Sequence, residues 1–298
     1  MLPNSTRRTV LVTGASLGIG RAVARSLVGQ ASTLILTARD SAAGNRLIRE
    51  IGRAAPGTRV KFCAADLSSL NSVRALAAEI VRSHGRIDVL VNNAGARFDR
   101  FQQSVDGHEL TFATNHLGHF LLTSLLLDRL LAAPSARIIN VSSSAHAGAT
   151  RPESWLMTAA NYDRRQAYAR SKLANLLFTF ELARRLSGTL VSVNAVHPGT
   201  VISGFARNNG IVSWLKHVVS HGLRGELISP RRGADTITYL ATSPEVAGVT
   251  GKYVYQRCAI ESSPLSYESA LARDLWTESI RFCGLDSSLG PTWRYFAP

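Results

Sequence analysis

The stretch Thr9-Val10-Leu11-Val12-Thr13-Gly14-Ala15-Ser16-Leu17-Gly18-Ile19-Gly20-Arg21 decides how the rest of the chain is read. Thr9 to Thr13 is a short β-branched and apolar run, the composition of a strand covered on both faces, and Arg21 to Val28 reads as the helix that follows it. Between the two, Gly14, Gly18 and Gly20 permit a tight turn, and they let the backbone N–H groups of the helix N-terminus approach a pyrophosphate with no Cβ in the way. Three glycines alone specify little. After a strand, before a helix and at the head of a β-α-β unit, they stand where a dinucleotide-binding turn requires them. Ser16, Leu17 and Ile19, between the glycines, and Arg21, just beyond, are expected at the same ligand.

The alternation continues outward from this turn. Strands are expected at Thr9–Thr13, Thr33–Ala38, Arg59–Ala64, Asp88–Asn92, Arg137–Ser143 and Leu190–Val196, with a seventh near Gly251–Tyr255. Helical patterns separate them; in Leu70 to Ser83, Val73, Leu76, Ala77 and Ile80 recur at i, i+3, i+4, i+7. Strand-helix-strand repetition predicts an α/β fold of the Rossmann type, a doubly wound parallel sheet of about seven strands with helices on both faces. At 298 residues, without repeats or a linker-like tract, the chain is expected to form one domain. Two long connections, Ala145 to Ala167 and Thr200 to Ser229, follow sheet strands, and substrate sites of open α/β sheets are built beyond strand ends. The second is rich in apolar residues, among them Phe205, Trp214 and Leu215, and is expected to be a mobile lid over a hydrophobic substrate.

Nineteen residues past Gly20, at the end of the second strand, a dinucleotide site selective for NAD(H) would carry a carboxylate for the ribose hydroxyls. This chain has Arg39, followed by Asp40. A guanidinium suits a 2′-phosphate, so the expected cofactor is NADP(H), with Arg21 at the start of the first helix expected to help; if Asp40 faced the ribose instead, the preference would reverse. Further along, Tyr168 and Lys172 stand at i, i+4 ahead of an apolar helical stretch, which stacks phenol and ammonium on one face. The nearby cation is expected to lower the Tyr168 pKa toward working pH and make the hydroxyl a usable acid or base. The pair follows a strand that ends in Ser142-Ser143-Ser144.

With these residues assembled, the sequence resembles a short-chain dehydrogenase/reductase, and within that family the retinol-dehydrogenase-like branch. Thr13 to Gly20 is similar to the family's TGxxxGxG motif, Asn92-Asn93-Ala94-Gly95 to its NNAG, and Tyr168 to Lys172 to its YxxxK. Asn115, in Thr-Asn-His-Leu-Gly-His-Phe, and Ser143 match its catalytic asparagine and serine. Asp66, with Leu67 beside it, matches the acid that contacts adenine, while His197-Pro198-Gly199, with Val201 and Ser203, matches the segment over the nicotinamide. The 25-residue step from Ser143 to Tyr168 resembles the spacing of the retinol-dehydrogenase-like members. The resemblance implies that Ser143 hydrogen-bonds the substrate oxygen and Tyr168 exchanges a proton with it. Lys172 would bind the nicotinamide ribose and tune Tyr168, and Asn115 would hold a relay water. The activity implied is interconversion of a carbonyl and an alcohol, as in a carbonyl reductase, on a retinoid-, steroid- or aldehyde/ketone-like molecule, by a homo-oligomer or a monomer.

Composition bears on the rival functions. A net charge of +14 invites a polyanionic partner, but only four of the 34 basic residues are lysine and the arginines are scattered, so a solvated surface is expected and nucleic acid is not. The apolar stretch Phe120 to Leu131 is broken by Thr123, Ser124, Asp128 and Arg129, so no membrane span is expected. Met1 to Thr9 has no signal-like apolar core, and a cytoplasmic location is expected. Three cysteines without ligand spacing suggest reduced thiols, and His116 and His119 lack a third metal ligand. The alternative from another class is a non-catalytic NADPH-sensing or scaffold protein of the same fold. The Tyr168–Lys172 pair opposes it, because a binding module has no chemical need for it.

Overall fold

The computed structural model describes residues 8–54, 57–201 and 227–297. Ser203, Trp214 and most of the expected lid lie outside the described residues.

Five β-α repeats build the body of the molecule. They run β1 (Thr9–Thr13), α1 (Gly18–Leu27), β2 (Thr33–Ala38), α2 (Ser41–Ala54), β3 (Arg59–Ala64), α3 (Leu70–Ser83) and β4 (Val89–Asn92). There follows one long helical passage: α4 (Leu110–Phe112), a π-helical turn at Ala113–Leu117 and α5 (Gly118–Leu131). Then come β5 (Ala136–Val141), a 3₁₀ turn at Ser144–Gly148, α6 (Arg164–Arg185) and β6 (Val191–Val196). Among the described residues there follow β7 (Thr200–Val201), β8 (Leu227–Ile228), α7 (Pro230–Thr242), β9 (Tyr253–Tyr255), β10 (Cys258–Ile260), α8 (Ser269–Cys283) and α9 (Trp293–Phe296), with short 3₁₀ turns between them.

The sheet order is β10-β9-β6-β5-β4-β1-β2-β3, parallel throughout except for the antiparallel pair β9–β10. Alternate residues of each central strand feed two separate cores. Leu11, Ile35, Leu90 and Ile138 pack under α3, α5 and α6, whereas Val10, Val12, Leu34 and Val91 pack under α1, α2 and α7. That is why the strands are nearly unbroken apolar runs: neither face meets water. α3 spans the residues its periodicity implied, and Val73, Leu76, Ala77 and Ile80 are its buried set.

The sheet has eight strands rather than about seven. The extra strand, β10, pairs antiparallel with β9 across Gln256 and Arg257, both at positive φ (48° and 65°). Two such residues make a hairpin turn that normally advertises itself by Asn or Gly, and here neither is present. β10 is also exposed along its length, so no apolar pattern marks it.

The topology places the ligand cleft. Chain order reverses between β1 and β4, and a crevice opens beyond the carboxyl ends of these adjacent strands. α6 is tied to the neighbouring strand end by side chains that reach β5: Lys172 Nζ and Asn175 Nδ2 both donate to the Val141 carbonyl (3.0 and 3.2 Å), and Ser142 Oγ donates to the Lys172 carbonyl (2.8 Å). On its other side α6 packs against an aromatic cluster in which Phe178 meets Phe120 and Trp276, with centroids 5.2 and 5.9 Å apart.

Candidate active site

A cleft of about 750 Å³ runs over the strand ends. One end is built by the glycine turn. Gly14 and Gly18 adopt φ of 66° and 54°, and a Cβ on Gly20 would sit 2.2 Å from the Gly14 carbonyl oxygen, so the loop closes only with glycine there. The turn is braced from beneath by Thr13, whose Oγ1 accepts the Asn93 and Ala94 N–H groups (2.9 Å each). Asn93 Nδ2 donates to the Thr13 carbonyl at 2.7 Å. α1 begins without a side-chain cap and without an acid in its first turn. A bare helix N-terminus with open N–H donors fits a pyrophosphate, so the donor set matches a dinucleotide.

Beyond the turn, the cleft is lined by Ser16, Leu17 and Ile19, by Arg39 and Asp40 after β2, and by Asp66 and Leu67 after β3. The Asp40 carboxylate accepts the Ala43 N–H at 2.9 Å and thereby caps α2. Asp66 Oδ1 accepts the Ser68 N–H (2.9 Å) and hydroxyl (2.7 Å), which hold its side chain in place. Asn93, Ala94, Gly95, Pro198, Gly199 and Val201 complete this part of the lining. Arg21 is not among it: its guanidinium turns to α2 and pairs with Glu50 at 2.5 Å, the carboxylate that also takes Arg25. An ion pair between helices was invisible to a reading that expected Arg21, from the start of the first helix, to help with NADP(H).

The other end gathers Ser143, Tyr168 and Lys172. The Ser143 hydroxyl accepts the Ala145 N–H (3.2 Å) as cap of the 3₁₀ turn and shares a hydrogen bond with the Tyr168 phenol. The Lys172 ammonium lies 5.7 Å from the centre of the Tyr168 ring. Burial pushes the Tyr168 pKa up to about 12, against the opposing pull of Ser143 and of the Arg97 charge, so the expected lowering is absent from the protein's own groups. Burial also draws Lys172 down to about 8, which weakens the cation that was to do the lowering.

Asn115 does not line the cleft. It is wholly buried in the π-helical turn; its Oδ1 accepts the Ala96 N–H (2.7 Å) and its Nδ2 donates to the Ala96 carbonyl and Ser171 Oγ (2.9 Å each). Asn115 thus clamps the strand that carries the Asn93-Ala94-Gly95 turn to α6.

Two histidines that the motifs passed over hold the site together. His119 Nδ1 donates to the Asn115 carbonyl (3.0 Å), which leaves Nε2 to accept the Thr13 hydroxyl at 2.9 Å, so one ring joins the π-helical turn to the glycine loop. His146 Nδ1 donates to the Ser143 carbonyl (2.6 Å) while its Nε2 accepts the Ser263 N–H (3.0 Å). Burial keeps both rings neutral, His119 falling to about 4. His119 stands in the same Thr-Asn-His-Leu-Gly-His-Phe stretch as Asn115, whereas Ser263 is 117 residues from His146 and nothing local announces that contact. Among the described residues the cysteines form no disulfide, no acid or histidine cluster suits a metal, and no helix is long and apolar enough to cross a membrane.

Known proteins resemble this chain over most of its length. The family model described as short chain dehydrogenase matches residues 8–210. Retinol dehydrogenase 13 of Homo sapiens is 40% identical over 283 residues, covering 94% of this chain and 86% of the relative. Retinol dehydrogenase 14 of Homo sapiens is 40% identical over 291 residues, with 93% and 87% covered. A solved structure of an uncharacterized protein from Mycobacterium paratuberculosis superposes with a TM-score of 0.75 at 32% identity, covering 96% of both chains. An NADP active-site complex of RhlG from Pseudomonas aeruginosa gives a TM-score of 0.67 at 28% identity, covering 83% of this chain and 93% of that one. The cleft, its glycine turn and these relatives agree: the chain belongs to the short-chain dehydrogenase/reductase family, in its retinol-dehydrogenase-like branch, and is an oxidoreductase of that family.

Proposed function

We propose that the protein uses NADP(H) to interconvert a carbonyl and an alcohol on a small, mostly apolar substrate. The observation that carries this reading is the joining of two ends in one cleft: Ser143, Tyr168 and Lys172 at one end, and Arg39 beside an uncapped helix N-terminus at the other. Arg39 supports NADP(H) because Asp40, the one residue that would argue for NAD(H), is held by the Ala43 N–H as a helix cap. The NADP complex of the Pseudomonas relative favours the same cofactor class.

The nicotinamide dinucleotide, when bound, supplies or accepts the hydride. The chain's own residues place and protonate. Ser143, fixed through its hydroxyl by Ala145 and through its carbonyl by His146, orients the substrate oxygen toward Tyr168. Tyr168, with a pKa near 12, is fully protonated at neutral pH and stands loaded as the acid for carbonyl reduction. Lys172 anchors its helix to β5 and presents its charge below the phenol.

The test is NADPH oxidation, followed by absorbance, over a panel of aldehydes and ketones, with NADH in parallel. Turnover with NADPH preferred supports the reading. Tight NADPH binding with no turnover of any carbonyl or alcohol would instead favour the sensing or scaffold alternative.

A further inference from the structure

The substrate end of the cleft is positively charged in a way the proposed reaction does not require. α6 turns Arg165, Tyr168, Ala169 and Lys172 toward the cleft, an i, i+3, i+4, i+7 face, so Arg165 stands one helical turn outward from Tyr168 at the mouth. Arg97, from the segment after β4, lines the same end, and its charge is felt at the Tyr168 hydroxyl. The carboxylates near this end already have partners. Asp163 caps α6 by accepting the Arg165 and Gln166 N–H groups (2.7 and 2.8 Å). Asp99 lies 3.4 Å from Arg164 and 4.0 Å from Arg97. Among the described residues that line the cleft, the only acids are Asp40 and Asp66, both at the dinucleotide end.

We propose that Arg165 recognises a carboxylate on the substrate, so that the preferred substrates are apolar aldehydes or ketones that also carry an acid group. The fork of a guanidinium matches a carboxylate and can hold it through two parallel N–H···O bonds. The rest of the substrate would rest on small side chains, Ala96, Ala145 and Ala169, which offer apolar contact and no competing polar group. This inference rests on the assignment of Ser143 and Tyr168 as the reacting end and names the substrate class for it.

The experiment pairs para-carboxybenzaldehyde with its neutral twin para-tolualdehyde in NADPH oxidation by the parent protein, Arg165→Gln and Arg165→Glu. A second arm needs no turnover: the NADP⁺-loaded protein is titrated calorimetrically with para-toluate and with para-toluamide. The parent should favour the acid over the neutral aldehyde by about tenfold in kcat/KM, in the range of one charge-assisted contact. Arg165→Gln should cut that ratio roughly five- to tenfold, Arg165→Glu should invert it, and raised salt should shrink it. Equal kcat/KM for the twins in the parent, or an equal loss for both in Arg165→Gln, overturns the inference. If neither aldehyde is reduced but para-toluate binds in preference to the amide and loses that preference in Arg165→Gln, the anion site stands and the proposed reaction falls. If both aldehydes are reduced alike and para-toluate shows no preference, the reaction stands and the anion site falls. Absence of both turnover and anion preference overturns both.

Discussion

Gly118 and Gly52 carry the same substitution to opposite outcomes. Both are helical glycines, and glycine to alanine in an open helix stabilises by about 0.5–1 kcal/mol through backbone entropy. Gly52, exposed on α2, has nothing within 4 Å of an added Cβ, so Gly52→Ala should gain that amount and raise the melting temperature by about 1–4 °C. At Gly118, the first residue of α5, an added Cβ would lie 2.2 Å from the Leu67 carbonyl oxygen, which is backbone and cannot rotate away. Relief requires α5 and the segment after β3 to separate; such overpacking costs about 1–3 kcal/mol and outweighs the helical gain. Gly118→Ala should therefore lower the melting temperature by about 2–8 °C. Because Leu67 and Asp66 line the cleft, NADPH affinity should also fall several-fold. Thermal unfolding by circular dichroism and a fluorescence titration with NADPH measure both. An increase in melting temperature for Gly118→Ala equal to that of Gly52→Ala would refute the close approach.

Arg39→Asp should weaken NADPH by about 10- to 100-fold through loss of a charge-assisted contact while NADH changes little or improves, as read by parallel titrations; unchanged NADPH affinity would remove Arg39 from the ribose. Acid should destabilise the fold through His116 and His119, whose burial holds them to about 3 and 4, whereas the unfolded chain takes up protons near the ordinary 6.5. With folded values depressed, the unfolded state binds more protons below about pH 6.5, so stability is lost as pH falls from there toward 4, by about 2–3 kcal/mol between pH 7 and 5.5 for the two together. Urea unfolding at the two pH values checks this, and an unchanged unfolding free energy would contradict it.

What was legible in the sequence follows from which interactions are local. The central strands and α3 declared themselves because burial on both faces, or on one stripe, writes an uninterrupted or periodic apolar pattern. The glycine turn and the helical Tyr168–Lys172 spacing were legible because each is a short pattern along the chain. β10 was not, since its turn forces Gln256 and Arg257 to positive φ without the residues that favour it and its strand is solvent-exposed. Arg21 was expected to help with NADP(H) from the start of the first helix, but Glu50 on the neighbouring helix claims it. His146, braced by Ser263, depends on chain segments far apart, which no motif spans. The Tyr168 pKa was misjudged because the ammonium was credited with its full charge effect while burial of both groups was left out.

The central claim is that Tyr168 is the proton donor of a reductase, and single-turnover reduction by the NADPH-loaded Tyr168→Phe protein tests it most directly. The change removes one oxygen from a half-buried ring whose hydroxyl partner is Ser143, so folding and NADPH affinity should stay within a few-fold of the parent. Reduction should slow by at least about 10²-fold, the lower end of what a positioned acid contributes. Lys172→Ala, by contrast, should lose turnover and NADPH affinity together. Reduction by Tyr168→Phe at near-parental rate, with NADPH bound normally, would contradict the account.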